Sequence, residues 1–214
     1  DKLGPLPEWD LSDLYRSPDG PEITKDIAAS GKAVAKFAKR YQGKLRDLDG
    51  DTLAKAIADY EKIDEVLSRI MSYASLLYAA DMMDPENGRF YQSMQETVTG
   101  ISSHVLFFAL ELNRIPERSL SKKLKASAKL RRFDPWLRDS RAYRPYQLDD
   151  QLEKLLHEKR VAGRSAWNRL FDETMAELTF EVDLPKGKRT LSSAEALNML
   201  SDGDGEVRKA AAKA

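Results

Sequence analysis

Cysteine is absent from this 214-residue chain, and histidine occurs only at positions 104 and 157. The first absence excludes disulfide stapling and thiolate chemistry and fits a reducing compartment. The second excludes a helical zinc site, which sets two histidines four residues apart on one face and adds a third protein ligand. His157-Glu158-Lys159-Arg160-Val161 begins in that pattern but has Val161 where the second histidine would stand. Glycine is sparse and forms neither a Gly-x-Gly-x-x-Gly turn nor a Walker loop, so no phosphate cradle is readable. No stretch approaches the roughly 20 consecutive apolar residues of a membrane helix. The opening Asp1-Lys2-Leu3-Gly4-Pro5 lacks the apolar run of a signal peptide.

What is present is a globular composition, with 42% hydrophobic and 33% charged residues, enough to bury a core and too apolar for a disordered chain. The net charge is zero but unevenly placed. Between Pro116 and Arg144, ten Lys and Arg residues face only Glu117, Asp134 and Asp139. Such a segment could meet nucleic acid or another acidic partner. Only Phe133, Trp136 and Tyr143 offer stacking surfaces there, and no nucleic-acid motif accompanies them. The expectation is therefore a solvated helical face compensated by acidic neighbours in space.

Helical periodicity dominates the chain. After a turn around Asp10–Tyr15, Pro21 starts a helix to about Tyr41, at a position where its missing N–H costs nothing. Leu53, Ala56, Tyr60, Ile63, Leu67, Ile70, Ala74 and Leu77 then recur in alternating steps of three and four, a heptad seam. Asp84-Pro85-Glu86-Asn87-Gly88 breaks it. A second seam runs through Tyr91, Met94, Val98, Ile101, Val105, Phe108, Leu112 and Ile115. Two such stripes joined by a short turn predict a long antiparallel helical hairpin ending at Pro116.

Shorter helices are expected over 117–130, 134–141, 149–161 and 164–178, with Arg144-Pro145-Tyr146 a loop. The buried side of the last helix would carry Ala166, Trp167, Leu170, Phe171 and Met175. From Leu178 to Asp183 apolar and polar residues alternate, a strand period. Lys186-Gly187-Lys188 reads as a turn and Arg189–Leu191 as a returning strand. Ser192-Ser193-Ala194-Glu195 is a capping box opening a helix through Leu200, and another helix starts at Glu206. The fold class is mainly α, with a long helical hairpin, shorter helices and a small β-hairpin near residues 178–191.

No complete active site is readable, and no catalytic, cofactor-binding or metal-binding residue is assigned. Gly203-Asp204-Gly205 has too few oxygen ligands at alternating positions for an EF-hand loop. Ser165 in Gly163-Arg164-Ser165-Ala166-Trp167 departs from a nucleophile elbow, with Trp167 in place of the second glycine and no preceding strand. His104 reads as a flank residue of the second seam, and His157 as helix surface among Glu153, Lys154, Glu158 and Lys159.

Leu6-Pro7-Glu8-Trp9-Asp10-Leu11-Ser12-Asp13-Leu14-Tyr15 resembles the opening of the oligoendopeptidase F family, within the thimet-oligopeptidase-like zinc peptidases. Gly163 through Glu173 is similar to the segment before that family's strand, and Glu206-Val207-Arg208-Lys209-Ala210-Ala211 to the approach to its catalytic region. The similarity runs along essentially the whole chain, in order. It implies a mostly helical, cytoplasmic enzyme that hydrolyses peptide bonds of oligopeptides inside a deep channel, with one zinc held by a His-Glu-x-x-His helix and a later glutamate. None of those ligands maps onto this sequence. The resemblance therefore implies a noncatalytic, channel-forming region over 1–200. It further implies a first helix, over 201–214, leading into a catalytic domain outside this chain. Zinc belongs to the longer protein and is not bound by this chain, which alone should be inactive. The expected partners are oligopeptides and the catalytic domain, with neither membrane nor nucleic acid. The alternatives are a free-standing helical interaction module and a nucleic-acid binder working through the basic segment.

Overall fold

The computed structural model describes residues 9–184 and 187–214. Leu6, Pro7 and Glu8 of the family-like opening, and Lys186 of the expected turn, lie outside those residues. The expected mainly helical fold with its β-hairpin is what forms. After a turn at residues 12–14, α1 (Pro21–Tyr41) begins with proline in its first turn and ends where Lys44 Nζ donates to the carbonyls of Lys39 and Arg40. Gly43 takes φ +76°, a left-handed turn that glycine adopts without a Cβ clash. Its N–H donates to Glu111 Oε1 at 2.6 Å, tying the loop to a residue 68 positions away.

The first seam becomes α2 (Gly50–Ala80), whose N-terminus is capped by the Asp49 carboxylate accepting from the Thr52 N–H at 2.7 Å. Its buried face is wider than the seam, because Ala54, Ile57, Tyr73 and Tyr78 join it. α2 is packed on one side by α1 and on another by the returning stripe, so more than a two-helix seam must be covered. Asp84 caps α3 (Pro85–Ser102), completing the hairpin turn.

The returning stripe is not one helix. A 3₁₀ turn at Ser103–Val105 separates α3 from α4 (Leu106–Arg114). Ser102 Oγ donates to the Thr99 carbonyl and Ser103 Oγ to that of Gly100, and such back-bonding bends helices. The apolar alternation is preserved across the break: Val105, Phe108, Leu112 and Ile115 all remain buried.

The helix expected over 117–130 is also split, into α5 (Glu117–Ala126) and α6 (Ala128–Arg131). Ser127 between them is extended and buried. Its hydroxyl accepts from the Leu130 N–H and donates to the Asp51 carboxylate of α2, so a tertiary contact replaces one helical step. α7 (Asp134–Arg141) follows as expected, and Arg144–Tyr146 is a 3₁₀ turn rather than an irregular loop. α8 (Asp150–Lys159) passes through a wide turn at Val161–Ser165 into α9 (Ala166–Glu177), with Gly163 leaving helical geometry between them.

β1 (Thr179–Leu184) and β2 (Gly187–Ser192) pair antiparallel in the register Phe180↔Leu191 and Val182↔Arg189. The capping box closes on Ser192 and Glu195 to start α10 (Ser193–Met199), and Asp204 caps α11 (Gly205–Lys213). Val182, Leu191 and Ala196 form a small core of their own, against which Ala210 packs. The larger core has two parts. Tyr15, Ile23, Ile70, Tyr73, Ala74 and Met94 pack near the hairpin turn. Phe37, Tyr41, Leu53, Ile57 and Phe108 pack near its base, joined by Leu120, Leu130 and Leu137.

The start of α2 lies hard against α5 and α6: a Cβ on Gly50 would sit 2.6 Å from Ser127 Cβ and 2.8 Å from the Lys123 carbonyl. Gly50→Ala should therefore destabilise the chain by about 1–3 kcal/mol through overpacking. Gly100→Ala, which meets open space within α3, should be neutral or gain up to about 1 kcal/mol from helix propensity. Urea unfolding midpoints of the two variants check both signs. A second expectation concerns alkaline pH. Burial, then the hydrogen bond to Asp59 at 2.8 Å, pushes the Tyr41 hydroxyl up to about 12. In the unfolded chain it ionises near 10. The stability this group contributes is present below about pH 10 and lost as pH rises toward 12, so Tyr41→Phe should unfold with a shallower pH dependence across that window.

Candidate functional site: outward apolar faces on α8 and α9

Leu152, Leu155 and Leu156 recur at the three- and four-residue steps that align one face of α8, and all three are exposed, Leu156 to 57%. The side of α8 turned inward is polar. Glu153 and His157 are half-buried, and His157 Nε2 lies 2.9 Å from Ser102 Oγ at the end of α3. His157 is therefore a packing contact between helices rather than the solvated surface expected from its charged neighbours. At the start of α8, Arg114 pairs with Asp150, holding that carboxyl below its usual range chiefly through their hydrogen bond.

α9 repeats the inversion and overturns the expected burial. Trp167 (71% exposed), Leu170, Phe171 (65%) and Met175 face solvent, together with Leu178 just beyond the helix. The half-buried side carries Ala166, Arg169, Asp172 and Glu173. It faces the hairpin turn, where Arg169, Glu173 and Glu177 line a hollow with Met82, Met83 and Arg89. Burial raises the Tyr78 hydroxyl above its ordinary range, and the nearby charges of Glu173 and Asp172 add to the shift. The periodicity of α9 was legible; which side would be covered was not, because amphipathicity does not say whether the covering partner is in the same domain.

Fully burying a leucine, phenylalanine or methionine side chain is worth about 1.5–3 kcal/mol, which these partly exposed side chains realise only in part. Contiguous exposed apolar surface of this kind marks an interaction site.

Most cations of the basic segment are exposed, as a solvated face would be, but several are engaged within the fold. The Arg141 side chain is 7% exposed and donates to the carbonyls of Leu112 and Ile115, closing the C-terminal end of α4, and to Glu117 at 3.2 Å. Lys123 donates to the Leu48 carbonyl, Arg131 to those of Leu124 and Lys125, and Lys129 pairs with Asp51 at 3.1 Å. The remaining cations are divided among α5, α7 and their loops rather than forming one stripe.

The zinc set implied by the resemblance does not fit these residues. His104 is exposed in the 3₁₀ turn, His157 is engaged with Ser102, and Val161 carries no ligand atom. Among the described residues no group of three or more His, Cys, Asp or Glu could hold a metal ion. Ser165 lies in the wide turn, with its N–H donating to the Arg160 carbonyl at 3.0 Å, and not on a strand-to-helix elbow. No helix among the described residues is long and apolar enough to cross a membrane.

Comparison with known proteins gives concordant matches. The family model described as Oligopeptidase F matches residues 111–180, a span that contains both α8 and α9. Oligopeptidase PepF of Bacillus subtilis (strain 168) is 25% identical over 208 residues, covering 94% of this chain and 30% of the relative. The crystal structure of oligoendopeptidase-F from Enterococcus faecium shares the fold at a TM-score of 0.75 and 19% identity, covering 90% of this chain and 37% of that one. The chain thus spans well under half the length of the proteins it matches.

If the outward stripes are free surface in this chain, Leu156→Glu and Phe171→Glu should change its stability by no more than about 0.5 kcal/mol. Both should lower binding of an apolar dye. A loss of several kcal/mol in the same denaturation experiment would place these side chains in the core instead.

Proposed function

With its sequence and fold matching the N-terminal part of the oligopeptidase F family, we propose that the chain forms the noncatalytic front of a peptidase that hydrolyses short peptides. The observation that carries this reading is the inverted placement of α8 and α9. Two helices with apolar sides outward, inside the span that matches the family, are suited to be covered by the remainder of a longer polypeptide. A free-standing interaction module would also leave apolar surface exposed, but would give no reason for the match along 94% of the chain.

In this proposal residues 1–200 supply part of the wall of a peptide channel, and 201–214 lead into the catalytic domain. Helices packed as firmly as α1, α2 and α4 make a stiff wall, which admits a flexible peptide and excludes a folded protein. Bound zinc would supply the activation of a water molecule for attack on the peptide carbonyl, and its ligands lie in the catalytic domain. The assembled protein would work in the cytoplasm, in keeping with a cysteine-free chain.

The test joins this chain to its downstream reading frame and measures cleavage of a quenched peptide of about ten residues, a length suited to a narrow channel. The longer protein should cleave the peptide, lose activity to a chelator, regain it with zinc, and leave a folded protein intact. The 214-residue chain alone should be inert. Peptide cleavage by the chain alone, or a longer protein that cleaves nothing, would overturn the proposal.

A further inference from the structure

Two hollows along α2 share a wall. One, about 350 Å³, lies between α1 and α2 and is floored by Ala29, Ala33, Phe37 and Ile63. The other, about 460 Å³, lies at the N-terminal end of α2 against α6, with Ala54, Ala58 and Phe133 in its lining. Arg40 and Lys55 border both, so the two hollows adjoin, and together they are called the groove.

The groove is rimmed by cations. Lys36, Arg40, Lys55 and Lys62 belong to the first hollow, and Lys129 and Arg132 continue along the second. Its carboxylates are already engaged. Asp26 accepts from Tyr15 Oη at 2.8 Å and pairs with Arg69 at 3.6 Å. Asp59 accepts from the buried Tyr41 at 2.8 Å and pairs with Lys55 at 3.0 Å. Asp51 accepts from the Ser127 hydroxyl and pairs with Lys129. Among the described residues Lys36, Arg40, Lys62 and Arg132 have no carboxylate partner within 4.0 Å. Arg40 is further oriented: its guanidinium stands over the Tyr41 ring, 5.1 Å from the centroid, at the junction of the two hollows.

We infer that this groove binds the acidic stretch of an extended peptide. Carboxylates of the peptide would be met by Lys36, Arg40, Lys62 and Arg132, and its backbone would lie over the alanines. Ala29 and Ala33, and likewise Ala54 and Ala58, stand one helical turn apart and give each hollow a stretch of short side chains. A nucleic acid is the poorer fit, because single strands bind by stacking bases on exposed rings. The aromatic residues that line the groove are buried, as Phe37 and Tyr41 are, or half-buried, as Phe133 is. The ligand class rests on the peptide-handling role proposed above; the anionic selectivity rests on the groove alone.

The experiment titrates the 214-residue chain into a fluorescein-labelled octapeptide of alternating Glu and Ala, followed by anisotropy. Binding should weaken as salt rises from about 50 to 500 mM, since exposed charges are screened over shorter distances. Joint Lys36→Glu and Lys62→Glu substitution should cost about tenfold in affinity. Both side chains are exposed and unpaired, and circular dichroism verifies that the variant folds. The same charge change at Lys122 and Lys125, exposed on α5, should cost less than about twofold, because it lies outside the groove. The inference is overturned by no binding, by equal losses in the two double variants, by an equal affinity for a Gln–Ala peptide, or by tighter binding of oligothymidine with the same dependence on Lys36 and Lys62. Because the titration reads binding and not cleavage, failure here leaves the peptidase proposal standing, and an inactive longer protein leaves this binding measurable.

Discussion

Phe108 is where three helices meet, and the base of the helical hairpin is built around it. Its ring stacks on Tyr60 of α2 with centroids 4.8 Å apart and meets Phe37 of α1 edge-on at 5.2 Å. Phe37 in turn lies 4.9 Å from the Tyr41 ring. A phenylalanine with no exposed surface in such a cluster costs about 3–5 kcal/mol to truncate to alanine. By fixing α4 against α1 and α2, the cluster also fixes Glu111, which holds the Gly43 loop, and Arg114, which receives α8. The start of α8 is thus tied, through Arg114 and Asp150, to the helix that carries Phe108.

How much of this was legible in the sequence depends on whether local pattern or a distant partner decided the outcome. The two stripes of the hairpin, the proline start of α1 and the capping box at Ser192 and Glu195 are local, and each formed as its residues dictate. The breaks were decided elsewhere. Ser127 looks like an ordinary mid-helix serine until Asp51, 76 residues away, offers it a carboxylate. Ser102 and Ser103 bend the returning stripe without disturbing its alternation, so no apolar count reveals them.

The candidate site was the least legible part for the same reason. Trp167, Leu170, Phe171 and Met175 have the spacing of a buried side, and the spacing is genuine. What the pattern leaves open is who buries it. Here Arg169, Asp172 and Glu173 turn toward the hairpin and the apolar side toward solvent, an arrangement that marks the outward side as a surface for contact with something else. His157 shows the converse. Charged neighbours suggested solvated surface, whereas the ring is held by Ser102 on the polar, inward side of α8.

In the proposed assembly the α9 stripe packs against the remainder of a longer polypeptide, and Trp167 would report on that contact directly. With Trp9 and Trp136 replaced by phenylalanine, fluorescence of the remaining tryptophan can be compared between this chain and the protein extended through its downstream reading frame. Emission should be that of a water-exposed indole in the chain alone, and should shift to the blue and resist an aqueous quencher in the extended protein. Identical, fully quenchable emission in both would contradict it.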